Sequence, residues 1–435
     1  MKSRLVVTSV MLILSLMLAA FPAFAQEGGD ATIPAQPCEE PGELTMWVWD
    51  QVWADIIGTA IDQWVADYCS GAEVDLQVQP WGQYWDLMAT NAAGGELPDV
   101  FTMSQTYVHF YMENDVLLNL QPYLDEYGVD STVWGSGMVD PYRAENGDLY
   151  ALPVNWDSIA IFYNKEMFDA AGLEYPTADW TWDDFAAAAR ALTDPENDVY
   201  GASVYAEYQA GYPNWIASAG VVPVIDSART TCTLRDPASI EALNFLKGLY
   251  DEGVMPSVSI QGGASPDDAF AYFASGHLAM VAAGSWKLSQ AVEEIPFDWD
   301  IVQLPKHPET GLSRSIVHSV GYVASARTEN PDLAANLILF LASDEGQRYF
   351  AEGGNVAPAN PSPELQQLWI DSFGDVGKNI QAYVDASKDS QGVTVFGEIW
   401  DAINTEIVVS IFDLGIPVED AVEAACAVVD EYVVE

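Results

Sequence analysis

Between Gly42 and Met103 the chain switches repeatedly between a two-residue and a helical hydrophobic period, and no other feature restricts its fold as much. Residues 44–49 (LTMWVW), 74–79 (VDLQVQ) and 99–103 (DVFTM) read as strands, with helices predicted over 51–68 and 83–91. Alternation of this kind specifies a parallel sheet wrapped by helices, an α/β lobe. In open sheets of that type, ligands gather beyond the carboxyl ends of the strands. Trp49, Asp50, Trp81, Met103, Ser104 and Gln105 therefore fall along one rim, whereas Trp47 is expected to point inward.

The alternation breaks after 149–154 (LYALPV), where a second extended run, 158–164 (SIAIFYN), follows without an intervening helix. Such a run reads as a crossing into a second lobe. The next segments are mainly helical, over 165–172, 182–193, 208–219, 238–252 and 266–275, with Thr181 as N-cap ahead of Asp183 and Asp184. Residues 318–324 (HSVGYVA) form another extended run that crosses back, with helices at 331–342 and 344–352. The expected division is 41–155 with 318–360 in the first lobe, and 156–317 with 361–435 in the second. Discontinuous lobes joined by extended crossings make a hinge.

Lys2 and Arg4 precede an apolar run over 5–20, and the small-x-small pattern of 23–25 (AFA) reads as the end of a signal peptide, residues 1–25. Residues 26–40 form an N-terminal extension. The expected product is an exported protein in a periplasm or outside the cell. The chain carries 65 Asp and Glu against 15 Lys and Arg, a net charge of -50. That balance argues against nucleic acid and anionic lipid as partners. Four cysteines in an exported protein suggest two disulfides. Cys38 lies before the first strand and Cys69 after the helix that returns the chain to the same end, which favours Cys38 with Cys69 and leaves Cys232 with Cys426.

Several stretches resemble the family 1 extracellular solute-binding proteins, the maltose-binding-protein-like sugar receptors of ABC importers. They are LYALP at 149–153 followed by IFYNKEMF at 161–168, WTWDDF at 180–185, GHLAM at 276–280 with GSW at 284–286, and NPDLAAN at 330–336 leading to VAP at 356–358. The resemblance implies a two-lobed, periplasmic-binding-protein-like (type II) α/β fold. In it each lobe is a mainly parallel sheet flanked by helices, joined by a multi-crossing hinge. It also implies capture of a small ligand for an ABC permease by a monomer that needs no cofactor. Carried over by position, the cleft candidates are Trp49, Asp50, Gln51, Ser104 and Gln105, then Asn155, Trp156 and Asp157, then Tyr212, Trp215, Ser285, Trp286 and Trp400. Met103 departs from the aromatic residue of the maltose binder.

A sugar offers hydroxyls at its edge and apolar C–H faces, so its receptor needs flat aromatic platforms together with amides and carboxylates. The candidates supply both, with Trp81 a further platform. Trp182, Trp299 and Trp369 are expected in cores. Two rival readings are a binder of a cationic solute such as a polyamine or betaine, caged by indoles, and a secreted glycoside hydrolase using two carboxylates. The hydrolase reading lacks an eightfold strand-helix repeat. The chain contains no G-x-S-x-G, H-E-x-x-H or phosphate-binding glycine loop, and no C-x-x-C spacing for a metal.

Overall fold

The structure, a computed structural model, describes residues 33–434 apart from 34, 135, 145, 207–208, 227–229, 264–265, 355, 361, 389 and 393–396. The expected signal peptide, and residues 26–32 and 34 of the extension, lie outside the described residues. Ten strands run in chain order: β1 (Glu43–Val48), β2 (Glu73–Val78), β3 (Val100–Ser104), β4 (Leu152–Asp157), β5 (Ile159–Asn164), β6 (Met280–Gly284), β7 (Trp299–Gln303), β8 (Ile316–Ala324), β9 (Ala357–Pro358) and β10 (Gln391–Gly392).

The first sheet has the order β2-β1-β3-β8-β4-β9, with β10 beside the start of β8. β1 pairs in parallel with β2 (Leu44 opposite Val74) and with β3 (Met46 opposite Val100), as the alternation predicts. Leu44, Met46 and Val48 are buried, so the even positions of β1 face the core. Trp47 consequently points the other way. It is half-buried, and its indole N–H donates to Gln77 Oε1 at 3.1 Å, correcting the inward orientation expected for it. The helix Gln51–Asp67 buries Trp53, Ala54, Ile57, Ala60, Ile61 and Trp64, the three-to-four spacing of one helical face.

β4 and β5 are separated by Ser158 alone, yet they belong to different sheets. β4 pairs antiparallel with β8 and β9, while β5 pairs antiparallel with β6 and β7. The second sheet, β6-β5-β7, is thus antiparallel throughout its named strands rather than mainly parallel. β5 lies between β6 and β7 and runs opposite to both. Parallel neighbours of β6 survive as the isolated bridges Tyr200 to Leu278 and Ser203 to Val281.

β5 is buried on both faces. Ile159, Ile161 and Tyr163 enter one core with Trp182, Trp215 and Ile407, whereas Ala160 and Phe162 enter another with Phe270, Trp299 and Trp369. A strand covered on both sides reads as an unbroken apolar run, which is what 159–163 shows. The first sheet has its own core around Trp64, Phe101, Tyr322 and Leu337. Two separate sheets make the α/β fold two-lobed, with Trp156, Val317 and Ala357 of the first sheet sharing the core of Phe162 and Trp299.

Local signals hold where side chains speak for themselves. Thr181 and Asp184 form a reciprocal capping box at the helix Trp182–Leu192. Both disulfides pair as chain topology suggested, with Cα atoms 5.2 Å apart for Cys38–Cys69 and 5.5 Å for Cys232–Cys426. Cys38 also donates its backbone N–H to Tyr68 O at 3.0 Å, strapping the extension onto the first helix. Among the described residues, no helix is long and apolar enough to cross a membrane.

Candidate ligand site at the crossing strands

The carboxyl ends of β1, β2 and β3 share one edge of the first sheet. β3 ends at Ser104 opposite Val320, and β4 ends at Asp157 opposite His318, so the end of β4 lies on that same edge. Beyond β1 the ring of Trp49 lies 5.1 Å from Trp81, 5.3 Å from Trp53 and 5.3 Å from Tyr84. Trp85 stacks on Tyr107 with centroids 3.9 Å apart and planes 18° from parallel. The sequence reading missed Tyr84, Trp85 and Tyr107. The helix Trp81–Gly94 places 81, 84 and 85 on one face, and that spacing was the available signal.

The two polar residues next to Trp49 serve the helix that follows. Asp50 caps it, accepting from Trp53 N at 2.9 Å. Gln51 is exposed and donates to Asp55 Oδ1 at 3.0 Å.

Where the chain leaves the first sheet, side chains from three elements meet on a buried carboxylate. Asp157 is 7% exposed. Gln209 donates its amide N–H to Asp157 Oδ1, and His318 Nδ1 stands 3.9 Å from Asp157 Oδ2. On its other side His318 Nε2 is 2.9 Å from Ser104 Oγ. Burial raises the Asp157 pKa above the ordinary carboxylate range, offset in part by His318 and Gln209. A carboxyl whose folded pKa is raised favours the fold below its unfolded pKa, and that contribution is lost as pH rises through the folded pKa. Asp157→Asn, which carries no charge, should therefore melt at least as high as the parent at pH 7, with the difference shrinking toward pH 4. Calorimetric melting across that range checks this, and a variant that melts lower at pH 7 would contradict it.

The register of β5 with β6, Ile159 opposite Gly284, carries the next residues past Asp157. Ser285 N donates to Ser158 O at 3.3 Å, and Ser285 Oγ is buried without a hydrogen-bond partner among the described residues. Trp286 follows, half-buried, and its ring lies against Gly284, where a Cβ would collide with it. Trp286 packs against the core of the first sheet and also against a core of the second. It is one of the side chains that join the two sheets, as Trp156, Val317 and Ala357 of the first sheet also do by entering the core of Phe162 and Trp299.

Other positions singled out from the sequence are placed elsewhere. Gln105 is buried, with Oε1 accepting from Ser319 N at 3.2 Å and Nε2 donating to Val317 O at 3.2 Å, so its amide ties β3 to β8. Asn155 is 1% exposed within β4, its amide without a partner among the described residues. Trp156 is buried beside Trp369, centroids 6.2 Å apart. Met103 is buried in the first core. Tyr212 is buried in the core that holds Trp215. Trp215 is 2% exposed and packed on Trp182 (5.1 Å), Phe185 (5.1 Å) and Phe245 (5.2 Å). Trp400, on the helix Gly397–Asn404, is half-buried against that same core. The structure brings Trp49, Trp81, Ser104, Asp157, Ser285 and Trp286 to the rim and the crossing, whereas the rings of Trp156, Tyr212 and Trp215 are buried in the cores.

Two α/β lobes joined by extended crossings, with indoles and a desolvated carboxylate where they meet, define a two-lobed receptor for a small solute. Residues 62–373 match the family model for bacterial extracellular solute-binding proteins, and the chain belongs to that family. It is 23% identical over 374 residues to the galactooligosaccharide-binding protein of Bacillus subtilis, covering 84% of each chain. It is 21% identical over 308 residues to a putative binding protein of Brucella abortus, 69% of this chain and 72% of that one. Among solved structures, the ABC substrate-binding protein Lmo0181 from Listeria monocytogenes, in complex with cycloalternan, superposes with a TM-score of 0.79 at 23% identity, over 90% of this chain and 99% of that chain. At that identity the likeness establishes the fold.

Proposed function

We propose that this chain is the exported, monomeric receptor of an ABC importer, that it captures a neutral carbohydrate between its lobes, and that it hands the sugar unchanged to the permease. The observation that carries the reading is Trp286, which packs against cores of both lobes where β6 ends opposite the start of β5, just past the buried Asp157 in the chain, with the indoles of Trp49 and Trp81 on the rim of the first sheet. Indole faces suit sugar C–H faces, and a desolvated carboxylate suits sugar hydroxyls. The oligosaccharide named for the Bacillus subtilis relative agrees with this chemistry. On this reading the lobes are 41–155 with 318–360, and 156–317 with 361–435. They close about the crossings at 157–159 and 316–318, and ligand favours the closed form through the contacts it makes only there.

Two observations weigh against the rival readings. The family that matches the chain and its galactooligosaccharide-binding relative are binding proteins rather than hydrolases. A cationic guest is disfavoured because burial raises the Asp157 pKa and so works against the charge that would pair with it.

A thermal-shift screen against neutral oligosaccharides, polyamines and betaines tests the proposal, because a receptor is stabilised by its own ligand. A sugar that raises Tm and is recovered intact supports it. Stabilisation by polyamines alone, or recovery of cleaved sugar, would overturn it. Affinity for the sugar should change by less than about twofold between low and high salt, since a neutral ligand has no charge to screen.

A further inference from the structure

Four side chains form a polar line across the two crossings. Ser104 ends β3, His318 lies on β8 opposite Asp157 at the end of β4, and Gln209 comes from the turn before the helix Tyr212–Ser218, whose Trp215 sits in a core of the second sheet. His318 Nε2 is 2.9 Å from Ser104 Oγ, His318 Nδ1 is 3.9 Å from Asp157 Oδ2, and Gln209 donates to Asp157 Oδ1. The turn that carries Gln209 is fastened to the second crossing. Asn214, fully buried, donates to Gln209 O at 2.7 Å, and its Oδ1 accepts from Ile316 N at 2.8 Å. Serine, histidine and aspartate in this order also serve nucleophilic catalysis. Here Ser104 is buried within β3, and 3.9 Å is too long for a hydrogen bond that would orient the imidazole. The line joins structural elements instead.

A buried carboxylate and an imidazole this close titrate as a pair. One proton between them is enough: on His318 it makes an ion pair, on Asp157 a neutral acid, and neither form leaves a lone buried charge. Its removal leaves an ionised carboxylate, 7% exposed, beside a neutral ring. Such a charge is costly to keep from water. Burial raises the Asp157 pKa, and His318 and Gln209 act against that rise. Ser104 suits both states, since a hydroxyl accepts from a protonated imidazole and donates to a neutral one. Two phenols, Tyr142 and Tyr383, also face Asp157, and burial pushes both well above the tyrosine range, so they keep their protons. Arg314, the nearest basic residue along the chain, is a guanidinium and stays charged.

We propose that Ser104, His318, Asp157 and Gln209 form a proton-controlled latch between the lobes: one proton on the His318–Asp157 pair favours the arrangement seen in the structure, and its loss favours parting. Parting brings water to Asp157 and takes away its contact with Gln209, so the parted form holds the proton less tightly. A state that binds fewer protons gains as pH rises. The ratio of parted to latched molecules therefore grows with pH by up to about tenfold per unit, the limit for one proton. The latch acts on the ligand-free protein and does not depend on what the cleft captures.

Small-angle X-ray scattering of the ligand-free protein tests it, at fixed salt and extrapolated to infinite dilution. Imidazole groups exchange protons between about pH 5 and 8, and a series from pH 5.5 to 8.5 covers most of that interval. The radius of gyration should rise with pH through one transition no steeper than a single proton allows. His318→Gln keeps a polar partner for Ser104 but has no proton to lose, and Asp157→Asn keeps the shape without the charge. Each variant should give one radius at every pH. His109, His277 and His307 remain in both, so a transition that belonged to them would persist. Circular dichroism shows which variants are folded, and if one is not, the other decides. A parent radius that stays constant or falls as pH rises, or a transition that survives in a folded variant, would overturn the proposal.

Discussion

Trp286→Ala should weaken sugar binding by about thirtyfold or more, a loss of about 2 kcal/mol of the kind found when a central aromatic anchor is removed. The indole lies against both cores, so it is the side chain through which a captured ring would feel both lobes. Gly284→Ala should produce part of the same effect without removing the ring. Its backbone φ is an ordinary -84°, so the added methyl does not strain the chain. The methyl would instead fall inside the Trp286 ring and drive it off its seat. Titration calorimetry on both variants, with circular dichroism to show retained structure, measures the effect. Unaltered affinity in Trp286→Ala would remove that residue from the site.

Removal of the Cys232–Cys426 disulfide should cost more stability than removal of Cys38–Cys69. The first closes a chain separation of 194 residues and the second one of 31. Loop-closure entropy of the unfolded chain gives about 5 kcal/mol for the longer loop and about 4 kcal/mol for the shorter. Burial reinforces the order. Cys232 and Cys426 both lie in the core of the second lobe, where Cys426 ties the C-terminal helix Val418–Val434 to the segment around Ile225 and Leu234. Cys38, by contrast, fastens an extension to the edge of a helix and is only partly buried. Thermal unfolding of the two double alanine variants should show the larger drop in Tm for Cys232→Ala/Cys426→Ala. A larger drop for the other pair would contradict the assignment of these roles.

Much of the fold was legible because its determinants are local. The period of β1 and β2, the Thr181 capping box and the doubly buried run of β5 are each written in a few neighbouring residues. The sense of β6 and β7 against β5 was not, since strand direction in the second sheet depends on partners more than a hundred residues away. The site divided in the same way. Trp49 and Trp81 follow from strand ends, which chain order reveals, whereas Asp157 was singled out only through its position in the resembled family. Trp215 matched by position but packs against Trp182, Phe185 and Phe245, and nothing in its own segment shows that competition. His318 and Gln209 were not among the expected site residues for the complementary reason. Neither is near Asp157 in the chain, and their role exists only once β8 lies beside β4 and the 209–212 turn reaches the crossing.

The central claim is that two rigid lobes close around a captured sugar. Small-angle X-ray scattering of the protein, with and without a saturating sugar that raises Tm in the thermal-shift screen, tests it most directly. A radius of gyration that falls on addition of ligand, at constant molecular mass, is the predicted result. The same radius in both states, with binding confirmed by calorimetry in the same sample, would contradict closure and with it the clamp.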